Sequence, residues 1–135
     1  MSGFYLKAIL LLLISSVLQV GHANAAVVNL TGMHQQFVSR NCPKDSPCTI
    51  EFARIPAGKQ MVVRRVHCAT DGEIANFKFQ TTASGGVVTG RTPLVSSAAE
   101  VMHLVDATHT MRVLADNFDT IAVSVSCMIV GEILN

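Results

Sequence analysis

Residues 60–82 read QMVVRRVHCATDGEIANFKFQTT, two runs rich in β-branched and aromatic residues. Such residues are enriched in strands, and Asp71-Gly72 between the runs favours a tight turn that reverses the chain. Neither run has the 3.6-residue periodicity of an amphipathic helix. The stretch therefore predicts two antiparallel strands, at 60–70 and 74–82.

The same alternation of short apolar runs and turn residues continues on both sides of this stretch. Pro56-Ala57-Gly58-Lys59 predicts a turn before it, and 91–100, which contains Pro93, reads as a loop after it. Further strands are predicted at 26–30, 33–39, 49–55, 87–88, 101–105, 109–114 and 121–133. This pattern predicts an all-β, single-domain, two-sheet β-sandwich, with a jelly roll as one form of it and a closed barrel as the alternative.

The N-terminus has the features of a secretory signal peptide. Lys7 precedes an apolar segment at 8–20, and Ala23-Asn24-Ala25 supplies the small-x-small pattern of a cleavage site. As a helix the apolar segment is about 20 Å long, too short for a hydrocarbon core of about 30 Å. We expect residues 1–25 to be removed and 26–135 to form one exported domain, periplasmic or extracellular, without a membrane span.

Charge and motifs exclude several functions. Without Lys7 the chain has nine basic and nine acidic residues, and this neutrality argues against a nucleic-acid partner, which requires a basic surface. The sequence has no Gly-x-Ser-x-Gly elbow, no His-Glu-x-x-His motif and no phosphate-binding glycine loop. We therefore expect a non-catalytic protein without a cofactor.

Four cysteines in an exported domain of this size predict two disulfides, with three possible pairings. Cys42 and Cys48 flank a short proline-containing loop, where a local bridge forms easily. Cys127 falls on the apolar face of its predicted strand, and Cys68 shares its strand parity with Val62 and Val66, although also with Arg64. Two inward cysteines on long strands can pair across the core, so we predict Cys42–Cys48 and Cys68–Cys127.

Aromatic residues argue against carbohydrate recognition. The usual sugar platform is an exposed Trp or Tyr. The chain has no Trp, and its one Tyr, Tyr5, lies in the predicted signal peptide. The phenylalanines of the domain are predicted to lie in the core; they are Phe37, Phe52, Phe77, Phe79 and Phe118.

Histidine and methionine residues suggest one alternative function, copper binding. His34, His103, His109 and Met111 offer imidazole and thioether ligands that suit copper, and His109 and Met111 would share one face of a strand. The competing interpretation is that methionines fill gaps in the core and the histidines sit at strand ends.

Residues 55–63, with the Pro-Ala-Gly-Lys turn, and the strand at 121–130 resemble small exported bacterial proteins of uncharacterised function. In those proteins such a turn opens a central strand of a predicted β-sandwich. The resemblance covers about half of the domain and implies fold and export, with no catalytic residue to transfer. We expect an exported, non-catalytic protein with an interaction or structural role, acting by self-association or on a protein partner through its sheet edges.

Overall fold

A computed structural model describes residues 24–30, 32–94 and 98–134 of the chain. These residues form nine strands and no helix: β1 Asn24–Leu30, β2 Met33–Cys42, β3 Ser46–Glu51, β4 Gln60–Thr70, β5 Ile74–Thr82, β6 Val88–Pro93, β7 Ala98–Asp106, β8 Thr110–Asn117 and β9 Val123–Leu134. They build a five-stranded sheet in the order β1-β2-β9-β4-β7 and a four-stranded sheet in the order β3-β8-β5-β6. The sheets pack face to face, which confirms the predicted two-sheet sandwich.

The strand order is that of a jelly roll. β2 pairs with β9, β3 with β8, β4 with β7 and β5 with β6, all antiparallel. A long double-stranded ribbon with this nested pairing rolls up into two sheets, which is the jelly-roll arrangement. Across the described strands each sheet retains two edges, so the closed barrel, the alternative from the sequence, does not form.

β4 and β9 form the centre of the five-stranded sheet. They pair along the full length of β4, from Gln60 opposite Leu134 to Thr70 opposite Val125. Every second residue of β9 from Val123 to Gly131 is buried, as its alternation predicted. Gly131 is required at its position because a Cβ atom there would collide with the carbonyl oxygen of Val62.

An irregularity in β4 changes which of its residues face the core. Pairing of β4 with both neighbours shifts between Val63 and Arg65, which leaves Arg64 outside the register. Before this bulge Val63 is buried, and after it Val66 and Cys68 are buried. Simple parity, which grouped Val62 with Val66, is therefore wrong for Val62, because the extra residue changes the phase of the strand.

Both disulfides have the predicted pairing, but they connect different parts of the fold than expected. Cys68 and Cys127 lie directly opposite each other on neighbouring strands of one sheet, with their Cα atoms 4.1 Å apart. The expectation that this bridge crosses the core is wrong, because the β4–β9 register makes the two residues sheet neighbours. Cys42–Cys48 joins the end of β2 to β3 and so links the two sheets, with a Cα separation of 5.5 Å.

Most predicted strands other than 60–70 and 74–82 have different bounds in the structure, and two segments show the physical reasons. β3 begins at Ser46 and ends at Glu51, earlier than the predicted 49–55. It includes Pro47, which is tolerated because β3 is an edge strand and one of its sides needs no backbone donor. The predicted loop at 91–100 is partly strand, since β6 continues to Pro93 and β7 begins at Ala98.

The core is formed by the inner faces of both sheets. Phe52, Phe77 and Phe79 belong to it, as predicted. Phe37 and Phe118 do not: Phe37 is 41% exposed and Phe118 is 69% exposed. Phe37 lies on the outward parity of β2, between the buried residues Gln36 and Val38, and Phe118 follows the last residue of β8. The prediction that all five phenylalanines are core residues is therefore wrong for these two.

The predicted signal peptide falls outside the described residues as far as residue 23. Asn24 and Ala25, the last two residues of that prediction, are the first two of β1. Within the part of the chain that the structure describes, no helix has the length and apolar character needed to cross a membrane.

Candidate interaction surface

The four edge strands of the sandwich differ in how they are protected. An edge strand exposes backbone groups that can pair with another chain, and charged residues or prolines normally prevent this. β3 contains Pro47 and Glu51, β6 ends on Pro93, and β7 contains charged residues at both ends of its length. Of the four edges in the described chain, only β1, with the sequence NAAVVNL, has neither a charged residue nor a proline.

β1 also extends beyond the other sheet. The four-stranded sheet ends at β3, which lies against β2, so no strand lies beneath β1 among the described elements. Val27 pairs with the buried Gln36 and faces the inner side, whereas Val28 faces outward, and they are 48% and 47% exposed. At these two residues both faces of β1 are therefore exposed to solvent, and within the described chain the backbone groups on its outer edge are unpaired.

Exposed apolar side chains cluster on the outer face of β1 and β2. Val28, Met33 and Phe37 are all exposed there. Phe37 pairs with the small residue Ala26 of β1 and with Met128 of β9, so its ring lies between an uncharged edge strand and a partly apolar face. We call the exposed edge strand together with this cluster, Ala26–Val28 with Met33 and Phe37, the β1 surface.

Strand register explains why this surface was hard to find from the sequence. The run at 26–30 was predicted as a strand, and its lack of charge is visible in the sequence. That it is an edge strand, overhangs the second sheet and lies beside Phe37 depends on its pairing with β2 and on the width of the other sheet. Strand pairing and sheet width both depend on residues distant in the sequence, so the sequence of this run does not reveal them.

His34 and His103, two of the predicted metal ligands, lie on the inner face of the same sheet but apart from each other. The cross-strand row runs from His34 through Gly131 and Val63 to His103. Three strand spacings separate the histidines, about 14 Å at about 4.8 Å per strand. Burial lowers the pKa of both imidazoles below 6.5, so the neutral ring is favoured at each position.

Other side chains already occupy the nitrogens of these rings. His34 Nε2 lies 2.8 Å from Gln36 Nε2, which also donates to the carbonyl oxygen of Ala53 at 3.0 Å. His103 Nδ1 lies 3.1 Å from Thr81 Oγ1, and its Nε2 lies 2.9 Å from Thr92 Oγ1. Since Thr81 and Thr92 belong to the four-stranded sheet, His103 is a polar link between the two sheets.

The other two predicted ligands are placed elsewhere. His109 precedes β8 rather than belonging to it, and its Nδ1 lies 2.9 Å from Asp106 Oδ1. Met111 is fully buried in β8. The structure does not bring the four residues into one ligand set, and the described residues contain no group of three His, Cys, Asp or Glu that could hold a metal ion. Copper binding stays a prediction, to be tested by titration of the purified protein.

Asn117 is a structural residue that the sequence analysis did not single out. Asn117 is fully buried at the end of β8. Its Nδ2 donates to the carbonyl oxygens of Cys42, Pro43 and Ile121, and its Oδ1 accepts from the backbone N–H of Asp119. The side chain thus holds together the β2–β3 and β8–β9 connections at one end of the sandwich.

The disulfides bear on the compartment in which the protein folds. Two disulfides indicate an oxidising, non-cytoplasmic environment. Comparison with protein families finds no model that matches the chain, and comparison with curated proteins finds no match. The geometry and charge of the surfaces are therefore the basis for a functional proposal.

Proposed function

We propose that this protein is an exported, non-catalytic interaction protein that associates with a second copy of itself through the free edge of β1. The observation that supports this is the state of that edge: it has no charged side chain and no proline, and Val27 on its inner side and Val28 on its outer side are both about half exposed. Strand addition at the other three edges meets a proline, a charged residue or both.

A second copy is the partner that best fits this edge. Two β1 strands that pair antiparallel about a two-fold axis form an isologous contact, in which each chain offers the same surface. The pairing joins two five-stranded sheets into one continuous sheet. The valines at position 27 then lie near each other on the uncovered inner side of both overhanging strands, and those at position 28 on the outer side.

The small size of the edge sets the expected strength of association. Stable dimer interfaces bury about 1,600 Å² in total, and a contact made mainly by residues 26–30 of β1 from each processed chain is smaller than this. We therefore expect a dimer that depends on concentration, with a dissociation constant in the range of about 1–100 µM.

Export is part of the proposal and has a separate test. Removal of residues 1–25 leaves 26–30 of β1, including both exposed valines. Intact-mass measurement of the protein recovered from an exporting host is expected to place the N-terminus at Ala26, with both disulfides oxidised. Retention of the first 25 residues in the exported protein would contradict the predicted processing.

Self-association is tested by light scattering on the processed protein at increasing concentration. The mass is expected to rise from that of one chain towards that of two. Val27→Lys places a charge on the edge and should keep the mass at one chain over the same range. The matched control is Val87→Lys, the same change at an exposed position in the β5–β6 loop, which should leave the dimer intact.

Two outcomes would contradict the proposal. One is a wild-type protein that stays at the mass of one chain up to about 1 mM, well above the expected dissociation constant. The other is a dimer that Val27→Lys leaves unchanged, since this would place the contact elsewhere.

A further inference from the structure

A polar cavity of about 510 Å³ lies at one end of the sandwich, on the four-stranded sheet. Three connections meet there, β3–β4, β5–β6 and β7–β8, because Glu51 at the end of β3 pairs with Arg112 near the start of β8, and Thr82 at the end of β5 pairs with Thr110. The volume is within the range of small-molecule sites. The lining contains three charged side chains, Glu51, Arg54 and Arg112, together with the hydroxyls of four Ser and Thr residues.

The three charged groups are not neutralised by the protein. Glu51 and Arg112 are direct cross-strand neighbours, yet no ion pair joins them, and Arg54 makes none either within the described residues. The Nε atom of Arg112 is shielded from solvent and has no hydrogen-bond partner. A buried donor without a partner is unfavourable. No ion pair within the described residues engages the two guanidinium groups or the carboxylate, and all three side chains line the cavity.

Gln80, the cross-strand neighbour of Arg112 on β5, forms its hydrogen bonds with other residues. Gln80 lies opposite Arg112 on β5, but its Oε1 accepts from Arg91 Nη2 at 3.2 Å. Gln80 Nε2 donates to Thr82 Oγ1, also at 3.2 Å. Gln80 is buried and held at both ends of its amide, so Arg112 has no acceptor on that side.

The walls of the cavity are fixed by short hydrogen bonds. In the β7–β8 turn, Asp106 Oδ1 accepts from Thr108 Oγ1 at 2.7 Å and from the Thr108 N–H at 2.8 Å. Hydrogen bonds from Thr108, and then from His109, lower the pKa of Asp106 to about 2, so this carboxylate is ionised at neutral pH. Ala83 N–H donates to the Val87 carbonyl and closes the β5–β6 loop on the opposite side.

We propose that this cavity binds a small dicarboxylic α-amino acid. Arg54 and Arg112 bind the two carboxylates, for which a guanidinium offers paired donors, and Glu51 binds the ammonium group. Each charged group of the ligand then has a partner of opposite charge: two carboxylates for the two arginines and one ammonium group for the glutamate. The Ser and Thr hydroxyls of the lining replace water around the bound carboxylates.

Other ligand classes match this set of charges less well. An inorganic anion satisfies the arginines but brings a negative charge next to Glu51, and a neutral sugar leaves all three charged groups unpaired. The cavity lies on the four-stranded sheet, whereas β1 belongs to the other sheet. Ligand binding and self-association can therefore fail or succeed independently.

Calorimetric titration of the processed protein with L-glutamate and L-aspartate tests the proposal. At least one is expected to bind with a dissociation constant below about 1 mM. Arg112→Gln should weaken that binding at least about tenfold, by loss of a charge-assisted pair. Lys44→Gln is the matched control, since it removes an equal charge from the β2–β3 connection at the other end of β3 and should leave the affinity unchanged.

Glu51→Gln separates recognition of the ammonium group from general electrostatics. It should weaken glutamate binding at least about tenfold, by loss of the partner of the ammonium group, but should not weaken binding of succinate, which has two carboxylates and no ammonium. Glu73→Gln, in the β4–β5 connection, is the control that should change neither.

Three results would overturn the proposal. The first is no binding of either amino acid at about 10 mM, a concentration that reveals even weak sites. The second is equal affinity of the wild type and Arg112→Gln. The third is binding of succinate as tight as that of glutamate, because Glu51 then has no role in recognition. Retention of the wild-type melting temperature by each variant shows that a loss of binding is not a loss of folding.

Discussion

β9 and β1 belong to the same sheet and have opposite environments. β9 is paired on both sides over most of its length, buries alternate residues from Val123 to Gly131 and carries a disulfide. β1 is paired on one side, and its residues 25–28 are all exposed. Under the proposed function, the centre of this sheet supplies stability and its β1 edge supplies association.

The largest effect is expected from the disulfide at the sheet centre. Cys68–Cys127 closes a segment of 59 residues, for which chain entropy gives about 4 kcal/mol of stabilisation. Cys42–Cys48 has a sequence separation of 6, and the same relation gives about 2 kcal/mol. Replacing each pair by alanine and measuring urea unfolding should show the larger loss for the first pair. Equal losses would show that the centre of the sheet is no more important than the connection between the sheets.

A smaller loss is expected from Gly131→Ala on β9. The added methyl group meets the Val62 carbonyl and the terminal methyl group of Met61, and such overpacking costs about 1–3 kcal/mol. Ser124→Ala, on the outward face of the same strand, is the control and should change stability by less than about 0.5 kcal/mol. Unfolding curves in urea measure both. A neutral Gly131→Ala would mean that the centre of the sheet yields as readily as its edge.

Acid should lower the free energy of unfolding through the buried histidines, because β1 has no titratable side chain. Burial lowers the pKa of His34 and His103 from 6.5, so the unfolded chain takes up these protons at a higher pH than the folded chain. Stability from the neutral rings is therefore complete above about pH 6.5 and is lost as the pH falls through the lowered pKa values. The urea midpoint should fall between about pH 7 and about pH 5, and His34→Gln with His103→Gln should flatten that fall. An unchanged slope in the double variant would rule out these two groups as its cause.

The smallest effect on stability is expected at the edge itself. Val27→Lys changes a half-exposed residue that no strand of the second sheet covers, so unfolding of the dilute protein should change by less than about 0.5 kcal/mol. A loss as large as that of Gly131→Ala would show that β1 contributes to the core and would remove the distinction between edge and centre.

Local patterns predicted part of this fold, and pairing determined the rest. The strands 60–70 and 74–82 have the predicted bounds because alternation and the Asp71-Gly72 turn are both local signals. Arg64 shows the limit of such signals: the bulge beside it changes the phase of β4, and nothing in the neighbouring residues marks it. For the same reason, the sequence led to the wrong expectation that the Cys68–Cys127 disulfide crosses the core. The register places both cysteines within one sheet.

Both candidate sites depend on contacts between residues distant in the sequence. The cavity charges come from positions 51, 54 and 112, which meet because β3 pairs with β8. Among the described strands, β1 is an edge because it pairs only with β2, and it overhangs because the second sheet has one strand fewer. For the predicted metal ligands, strand pairing separates residues instead of bringing them together. Their side chains suit copper, but the register places His34 and His103 three strands apart.

Hydrogen–deuterium exchange at low and high protein concentration tests the division between edge and centre most directly. If β1 pairs with β1 of a second copy, its amides should exchange more slowly in the concentrated sample, while protection in β9 and in the other sheet edge, β7, stays the same. Val27→Lys should abolish the difference, and Val87→Lys should preserve it. Exchange in β1 that is independent of concentration, or slower exchange in β7 instead, would contradict the assignment of association to this edge.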